Sequence, residues 1–169
     1  MKLLIYFILF FSSLSCVSQI INKEFAIKQC VKNSSLILDG KADVAGMAFR
    51  GSNNAIYTPY YFTVSKIISG KLDTTKIIIL LDGGQIEENG MGLGTGVAHG
   101  INILPSLNSI IFCSKSELTN CPNSYMVYEQ VCYNAKNEII PFNFLSEFYK
   151  NKQTLLNDLG TTLSSIQAK

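Results

Sequence analysis

Ala55-Ile56-Tyr57-Thr58-Pro59-Tyr60-Tyr61-Phe62-Thr63-Val64-Ser65-Lys66-Ile67-Ile68 is dense in β-branched and aromatic residues. Such residues suit a pleated, half-buried strand. Upstream, Leu36 to Phe49 alternates loosely around Gly40 and Gly46, and Gly51-Ser52-Asn53-Asn54 supplies turn residues between the two runs. The pair is therefore expected to form a hairpin. Pro59 cannot donate to a strand ladder and is expected at an edge or a bulge. Downstream, Ser69-Gly70-Lys71-Leu72-Asp73 interrupts the chain before Thr75 to Leu81 resumes as a nearly unbroken apolar run. That run predicts a central strand buried on both faces.

The remaining segments extend this β-rich reading and flank it with helices. Gly83 to Gly100 holds 7 of the 12 glycines and reads as a flexible connection between strands. Ile101 to Leu104 and Ser109 to Phe112 bracket Pro105-Ser106-Leu107-Asn108 and are expected to form a second hairpin. Tyr125 to Tyr133 gives one more strand, and Glu138 to Pro141 a further short piece. Before the strands, Phe25, Ala26, Ile27, Cys30 and Val31 share one helical face between Asn22 and Asn33. After them, Leu145, Phe148, Leu155, Leu156, Leu159, Leu163 and Ile166 fall at spacings of three and four, which predicts one amphipathic helix over about 144–166. Gly160 inside it costs about 1 kcal/mol relative to alanine and is a point where the helix bends or ends. The expected fold class is mainly β with flanking helices (α+β), built as a small OB-like barrel.

Composition bounds the function. The 169 residues are 47% hydrophobic and 15% charged, too apolar for disorder and of a length suited to one core. The net charge is +2 and Arg50 is the sole arginine, so nucleic acid is not an expected partner. With one histidine, no tryptophan and no nucleotide or hydrolase signature, the chain offers little material for common enzyme chemistry, and no cofactor is expected.

Lys2 followed by the nine apolar residues Leu3 to Phe11 is far short of the roughly 20 residues that span a bilayer. With the small residues Ser12 to Ser18 after it, the segment has the pattern of a secretory signal peptide. The protein is accordingly expected to be exported, to the periplasm, the cell surface or the extracellular space. Cleavage after Ser18 leaves a single domain from Gln19 to Lys169. The competing cut precedes Cys16, because Leu14-Ser15-Cys16 approaches a lipoprotein box that has Ser13 where leucine is usual. Acylation of Cys16 would hold the protein at a membrane surface, and only then is a membrane a partner.

The cut after Ser18 leaves Cys30, Cys113, Cys121 and Cys132, an even number in an exported chain, which allows two disulfides of undetermined connectivity or four buried thiols. Cys113 and Cys121 flank a short polar loop that a bridge could close. No metal-ligand spacing occurs among them. The glycine-rich segment after Asp82 contains neither a dinucleotide fingerprint nor a P-loop. Asp82, Gly83, Gly84, Glu87, Glu88 and His99 form its possible binding loop. The three acidic residues could supply oxygen ligands to calcium, but a defined calcium loop is missing. His99 has no nucleophile signature beside it and reads as a hydrogen-bonded strand residue. Tyr57, Tyr60, Tyr61 and Phe62 could build a stacking platform, although alternation lets at most half of them share a surface. Core packing is the simpler reading of these aromatics.

The order Ile37-Leu38-Asp39-Gly40-Lys41-Ala42, Ile56-Tyr57-Thr58, Phe62 to Gly70, Asp82-Gly83-Gly84 and Ser109-Ile110-Ile111-Phe112-Cys113 resembles the N-terminal β-rich domain of uncharacterised exported proteins of gliding Gram-negative bacteria. Many of those carry a C-terminal type IX sorting domain. More distantly, the same order is similar to netrin-like domains and tissue inhibitors of metalloproteinases. The resemblance covers about Cys30 to Cys113 and implies a five-stranded OB-type barrel with flanking helices. Two departures limit what it implies about function. The helix-like end at Lys169 leaves no room for a sorting domain, so type IX export is not expected. Cys16-Val17-Ser18 also lacks the second cysteine of the inhibitors' terminal Cys-x-Cys. The expected function is a non-enzymatic binding or structural module of the envelope or extracellular space, with an unknown protein or glycan as partner. The alternatives are a protease-inhibitor-like protein and an envelope lipoprotein anchored through Cys16.

Overall fold

The computed structural model describes residues 22–96 and 103–168, and within them the side chains of Val44 and Ala45 are not described. The segment expected to be a signal peptide, with Cys16, and His99 lie outside the described residues. Among the described residues the chain is mainly β with two α-helices. In order it forms α1 (Lys23–Asn33), β1 (Leu36–Ala45), β2 (Phe49–Arg50), β3 (Ile56–Ser69), β4 (Lys76–Asp82), β5 (Gly84–Glu88), β6 (Met91–Thr95), β7 (Asn108–Lys115), β8 (Ser124–Tyr133), a 3-10 helix (Phe144–Phe148) and α2 (Lys152–Gln167).

Five of the strands close a ring of pairings. β1 lies between β7 and β3, β3 pairs with β4, β4 with β8, and β8 with β7. All contacts are antiparallel except β4–β8, a short parallel seam of three residue pairs from Ile78↔Ser124 to Leu80↔Met126. This is a small, partly open Greek-key ring of the OB-like kind. Closure depends on β1 serving two neighbours, and Gly40 is where that becomes possible. The β1–β3 register shifts between Asp39 and Gly40. A Cβ at Gly40 would overlap the Thr63 carbonyl oxygen and the Phe62 ring, so only glycine admits so close an approach.

Alternation along the strands sorts side chains between the inside and the outside of the ring. Leu36, Leu38 and Ala42 of β1, Phe62 of β3, Ile77, Ile79 and Leu81 of β4, Ile111 and Cys113 of β7 and Val127 of β8 meet inside. On the outside, Ile37, Ile110, Phe112, Val131 and Tyr133 carry a layer made of α1, the 3-10 helix and α2, through Ala26, Ile27, Leu145, Leu155 and Leu159. A third cluster gathers Tyr57, Leu80 and Leu118, with Phe49, Ile78, Cys121 and Met126 around them. β4 thus has apolar neighbours on both faces, as its unbroken apolar run predicts. The aromatic run divides in the same way. Phe62 and Tyr60 join the interior cluster, Tyr57 the outer one, and Tyr61 is 55% exposed, so no four-ring platform exists.

Pro59 pairs with Leu80 and lies one residue past Ala45↔Tyr60, the last β1–β3 pair. Its carbonyl accepts from Gly46 N (2.7 Å), and its missing donor points the same way, past the end of β1, where no ladder bond is lost.

Three expectations need correction. The glycine-rich connection is not an irregular loop, because β5 and β6 form an antiparallel hairpin. Its turn is Asn89-Gly90, both at positive φ (54° and 75°), a pairing that fits the right-handed twist of a two-residue hairpin. Next, residues 103–107 form a turn and not the first arm of a hairpin. Ser106 N donates to Ala42 O (2.7 Å), Leu104 N donates to the buried Gln130 Oε1 (2.9 Å), and Ile103 enters the interior. β7 instead takes β8 and β1 as partners. Last, the expected helix over 144–166 is two helices. Asn151 caps α2 by accepting from Thr154 N (2.9 Å), and Ile139 N donates to Lys150 O (2.9 Å). The Glu138–Ile139 segment therefore holds 149–151 extended, while the apolar spacing runs through the break unchanged. α2 itself passes through Gly160 and continues to Gln167.

Candidate functional site

The β5–β6 hairpin and its base contain Asp82, Gly83, Gly84, Glu87 and Glu88 from the binding loop expected from sequence. Asp82 closes β4 opposite Tyr57. Gly83 and Gly84 then turn the chain away from the ring at φ 105° and 133°, a region that L side chains rarely adopt. Gly83 N donates to Ile56 O (2.7 Å), and Thr58 Oγ1 donates to Gly83 O (2.8 Å). The pivot is thereby fixed to β3.

Arg50 holds the far end of β5. Its Nε and Nη2 donate to Glu88 Oε1 and Oε2 at 2.8 and 2.9 Å, and its Nη1 donates to Asn54 O at 3.0 Å. This is the forked geometry that a guanidinium offers a carboxylate. The hydrogen bonds from Arg50 hold the Glu88 carboxyl below its ordinary range and the Arg50 guanidinium above its own. Beneath Arg50, Asn120 Nδ2 donates to Arg50 O (2.8 Å). Ser52 N donates to Asn120 Oδ1 (3.1 Å), and Thr119 N donates to Ser52 Oγ (3.2 Å). The 51–54 turn and the 116–123 loop therefore brace one another under the hairpin.

Pairing fixes which residues share a face. Glu88 lies opposite Met91 and Ile86 opposite Leu93, while Glu87 lies opposite Gly92 and Gln85 opposite Gly94. Glu87 and Glu88 consequently point to opposite sides, and Glu88 is occupied by Arg50, so the two do not converge on a cation. Among the described residues no group of three His, Cys, Asp or Glu is placed to hold a metal. Of the hairpin's apolar side chains, Met91 is 64% exposed and Leu93 38%, and Met47, just before β2, is 92% exposed. An open groove of about 690 Å³ runs along Met47, Ala48, Gln85, Ile86, Glu87 and Leu93. Every residue of β6 is exposed, and among the described residues its only ladder partner is β5.

Sequence reading missed Arg50, Met47, Met91 and Leu93 as parts of this surface. The Asn89-Gly90 dipeptide with Ile86 and Leu93 on either side carried the hairpin signal. Nothing local announces the Arg50–Glu88 pair, whose members are 38 positions apart.

Two further polar clusters lie under the helices. Asp39 accepts from Tyr133 Oη (2.5 Å) and from Lys152 Nζ (2.6 Å), and Lys152 Nζ also donates to Tyr133 Oη (2.8 Å). Burial first, and then the bond to Asp39, push the Tyr133 hydroxyl up. This cluster ties the first turn of α2 to β1. Glu129, 3% exposed, accepts from Gln130 N (3.0 Å) and from Leu145 N (3.1 Å) in the 3-10 helix. Burial pushes its carboxyl up to about 7 against those two bonds. Both clusters are enclosed by the helical layer and act as fasteners between layers.

The four described cysteines are thiols. Cys113 is inside the ring and Cys121 is in the outer cluster with Tyr57 and Leu80, so the two do not close the loop between them in this structure. Burial pushes the thiols of Cys30, Cys113 and Cys132 up to about 12. Comparison with family models, curated proteins and solved structures finds no match to this chain.

Proposed function

We propose that this chain is an exported, non-enzymatic binding module in which the ring of strands serves as a scaffold and the β5–β6 hairpin engages a protein partner. The observation that carries the reading is the exposure of Met91 and Leu93 on a hairpin that Arg50 fixes to the scaffold, with the exposed Met47 lining the groove beside it. Exposed apolar side chains on a held surface favour association, and a rigid base lowers the ordering cost of binding. The acidic residues expected to form a binding loop contribute differently from that expectation. Glu88 positions the hairpin, and Glu87 stays on its surface.

Export rests on the pattern of Lys2 and Leu3 to Ser18. No helix among the described residues is long and apolar enough to cross a membrane. Attachment through an acylated Cys16 would place the same hairpin at a membrane surface without altering its role.

The test is photo-crosslinking in the native cell with a benzophenone amino acid at position 91, and at Lys136 as a control. The reading expects one adduct of discrete mass at 91, absent at 136 and lost when Leu93, exposed on the same face of the hairpin, is replaced by aspartate. Equal crosslinking at both positions, or none, overturns it.

A further inference from the structure

We propose that β6 binds an extended peptide segment by strand addition, and that the segment preferred has apolar and basic residues in alternation. This deepens the binding-module reading and rests on it. An unpaired strand edge presents a row of backbone N–H and C=O groups that another extended chain satisfies. Exposed edges are normally guarded by lysine, proline or a bulge. Met91-Gly92-Leu93-Gly94-Thr95 contains no charge and no proline, and its pairing with β5 runs without a register shift. Each of its five residues is exposed, and among the described residues no strand pairs with its other edge.

The two faces of the hairpin specify what the added strand carries. On one face β6 contributes Met91 and Leu93, with Ile86 and the Arg50-paired Glu88 behind them on β5, so alternate residues of the incoming strand that lie on this face meet the Met91 and Leu93 side chains first. On the other face β6 contributes only Gly92 and Gly94. A Cβ at Gly92 would meet nothing within 4 Å, and one at Gly94 would meet only the Gln85 side chain and the Gly84 carbonyl. The strip is therefore bare of side chains at Gly92, while the Gln85 side chain reaches over Gly94. Beyond it, on β5, stands Glu87, exposed and directly opposite Gly92.

A strand added to β6 lies two inter-strand spacings from β5, about 10 Å away. A lysine or arginine on the glycine side can lay its methylene stem over the bare strip and set its charge beside the Glu87 carboxylate. A side chain at position 92 would block that path. Glu88 is not available for the same role because Arg50 already holds both of its oxygens. The only arginine of the chain thus leaves one carboxylate of β5 free of that pairing and facing the bare strip.

The experiment uses the full mature chain labelled with nitrogen-15 and three blocked eight-residue peptides. One alternates valine and lysine, one alternates valine and glutamate, and one is the valine–lysine peptide N-methylated at alternate residues. The proposal expects the valine–lysine peptide to shift the amides of 91–96 saturably, and the other two to leave them in place. Glu87→Gln should weaken binding about fivefold, the size of an exposed ion pair near the top of its range. Glu87→Lys should transfer the preference to the valine–glutamate peptide.

Strand addition is overturned if the shifts fail to saturate, fall outside the hairpin, survive N-methylation, or keep the same preference in Glu87→Lys. It is also overturned if 91–96 shift with protein concentration alone, since β6 would then pair with a second copy. A discrete crosslink at position 91 together with any of these outcomes retains the binding module and removes only strand addition. Loss of the crosslink removes the module reading.

Discussion

Glu129 places a carboxyl in the layer between β8 and the 3-10 helix, where burial raises it from an ordinary 4.5 to about 7. Below pH 4.5 the folded and unfolded chains are both protonated there, and the group contributes no difference. Between 4.5 and 7 the folded chain keeps a proton that the unfolded chain has released, so stability falls as pH rises, and above 7 the penalty is complete. The gap corresponds to about 3 kcal/mol. Glu129→Gln is expected to flatten this fall. Urea midpoints at pH 5 and pH 8 measure it, and an equal drop in wild type and variant would show that Glu129 is not its source. Gly40 acts at the same scale by geometry alone. Because a Cβ there overlaps the Thr63 carbonyl and the Phe62 ring, Gly40→Ala is expected to cost about 3 kcal/mol. That lowers the melting temperature by about 10 °C, and an unchanged melting curve would refute the close approach.

At the level of elements, α2 carries a flaw that can be repaired. Gly160 is helical and a Cβ there would meet nothing within 4 Å, so Gly160→Ala gains helix propensity without a clash, about 1 kcal/mol. Thermal denaturation should shift upward by about 3 °C, and a downward shift would mean that position 160 is more crowded than described. The hairpin answers to a different residue. Arg50→Ala should speed amide exchange at Ile86 and Leu93 while leaving Ile79 and Ile111 protected, because the Arg50 side chain holds the hairpin and the 51–54 turn and not the ring interior. Elements with strong local pattern were legible in sequence. α1, the Ala55–Ile68 strand, the apolar β4 and the Tyr125–Tyr133 strand all stand where periodicity and residue type put them. The misses arise where a distant partner decides. Ile103 and Leu104 read as part of a strand because they are apolar, yet Ala42 and Gln130 take up the backbone donors of Ser106 and Leu104. The 149–151 break is set by Glu138 and Ile139, which helical periodicity does not register. The candidate site was half legible, since Asp82 to Glu88 drew notice as a glycine-rich acidic stretch while Arg50 and the exposed methionines did not.

For the whole molecule, the three apolar clusters decide the chemistry of the cysteines more than their even number does. Cys113 is sealed inside the ring, Cys30 packs against the helical layer, Cys121 lies in the outer cluster, and Cys132 is 1% exposed. The thiolate is the species that attacks a disulfide or an alkylating agent. With Cys30, Cys113 and Cys132 all pushed up to about 12 by burial, almost no thiolate is present at neutral pH. The folded chain is therefore expected to resist iodoacetamide at these three positions, whereas all four cysteines label in denaturant. Intact mass of protein isolated from its native cells completes the test. A mass unchanged by reduction would mean that the thiols persist in the native cell. A gain of about four protons would mean that two bridges form, and the layers would then have to repack, because Cys113 and Cys121 belong to separate clusters. The same spectrum reports the amino end, since a chain starting at Gln19 and one starting at an acylated Cys16 differ by three residues and a lipid. Only the second holds the hairpin of β5 and β6 at a membrane surface, where its partner would have to be sought.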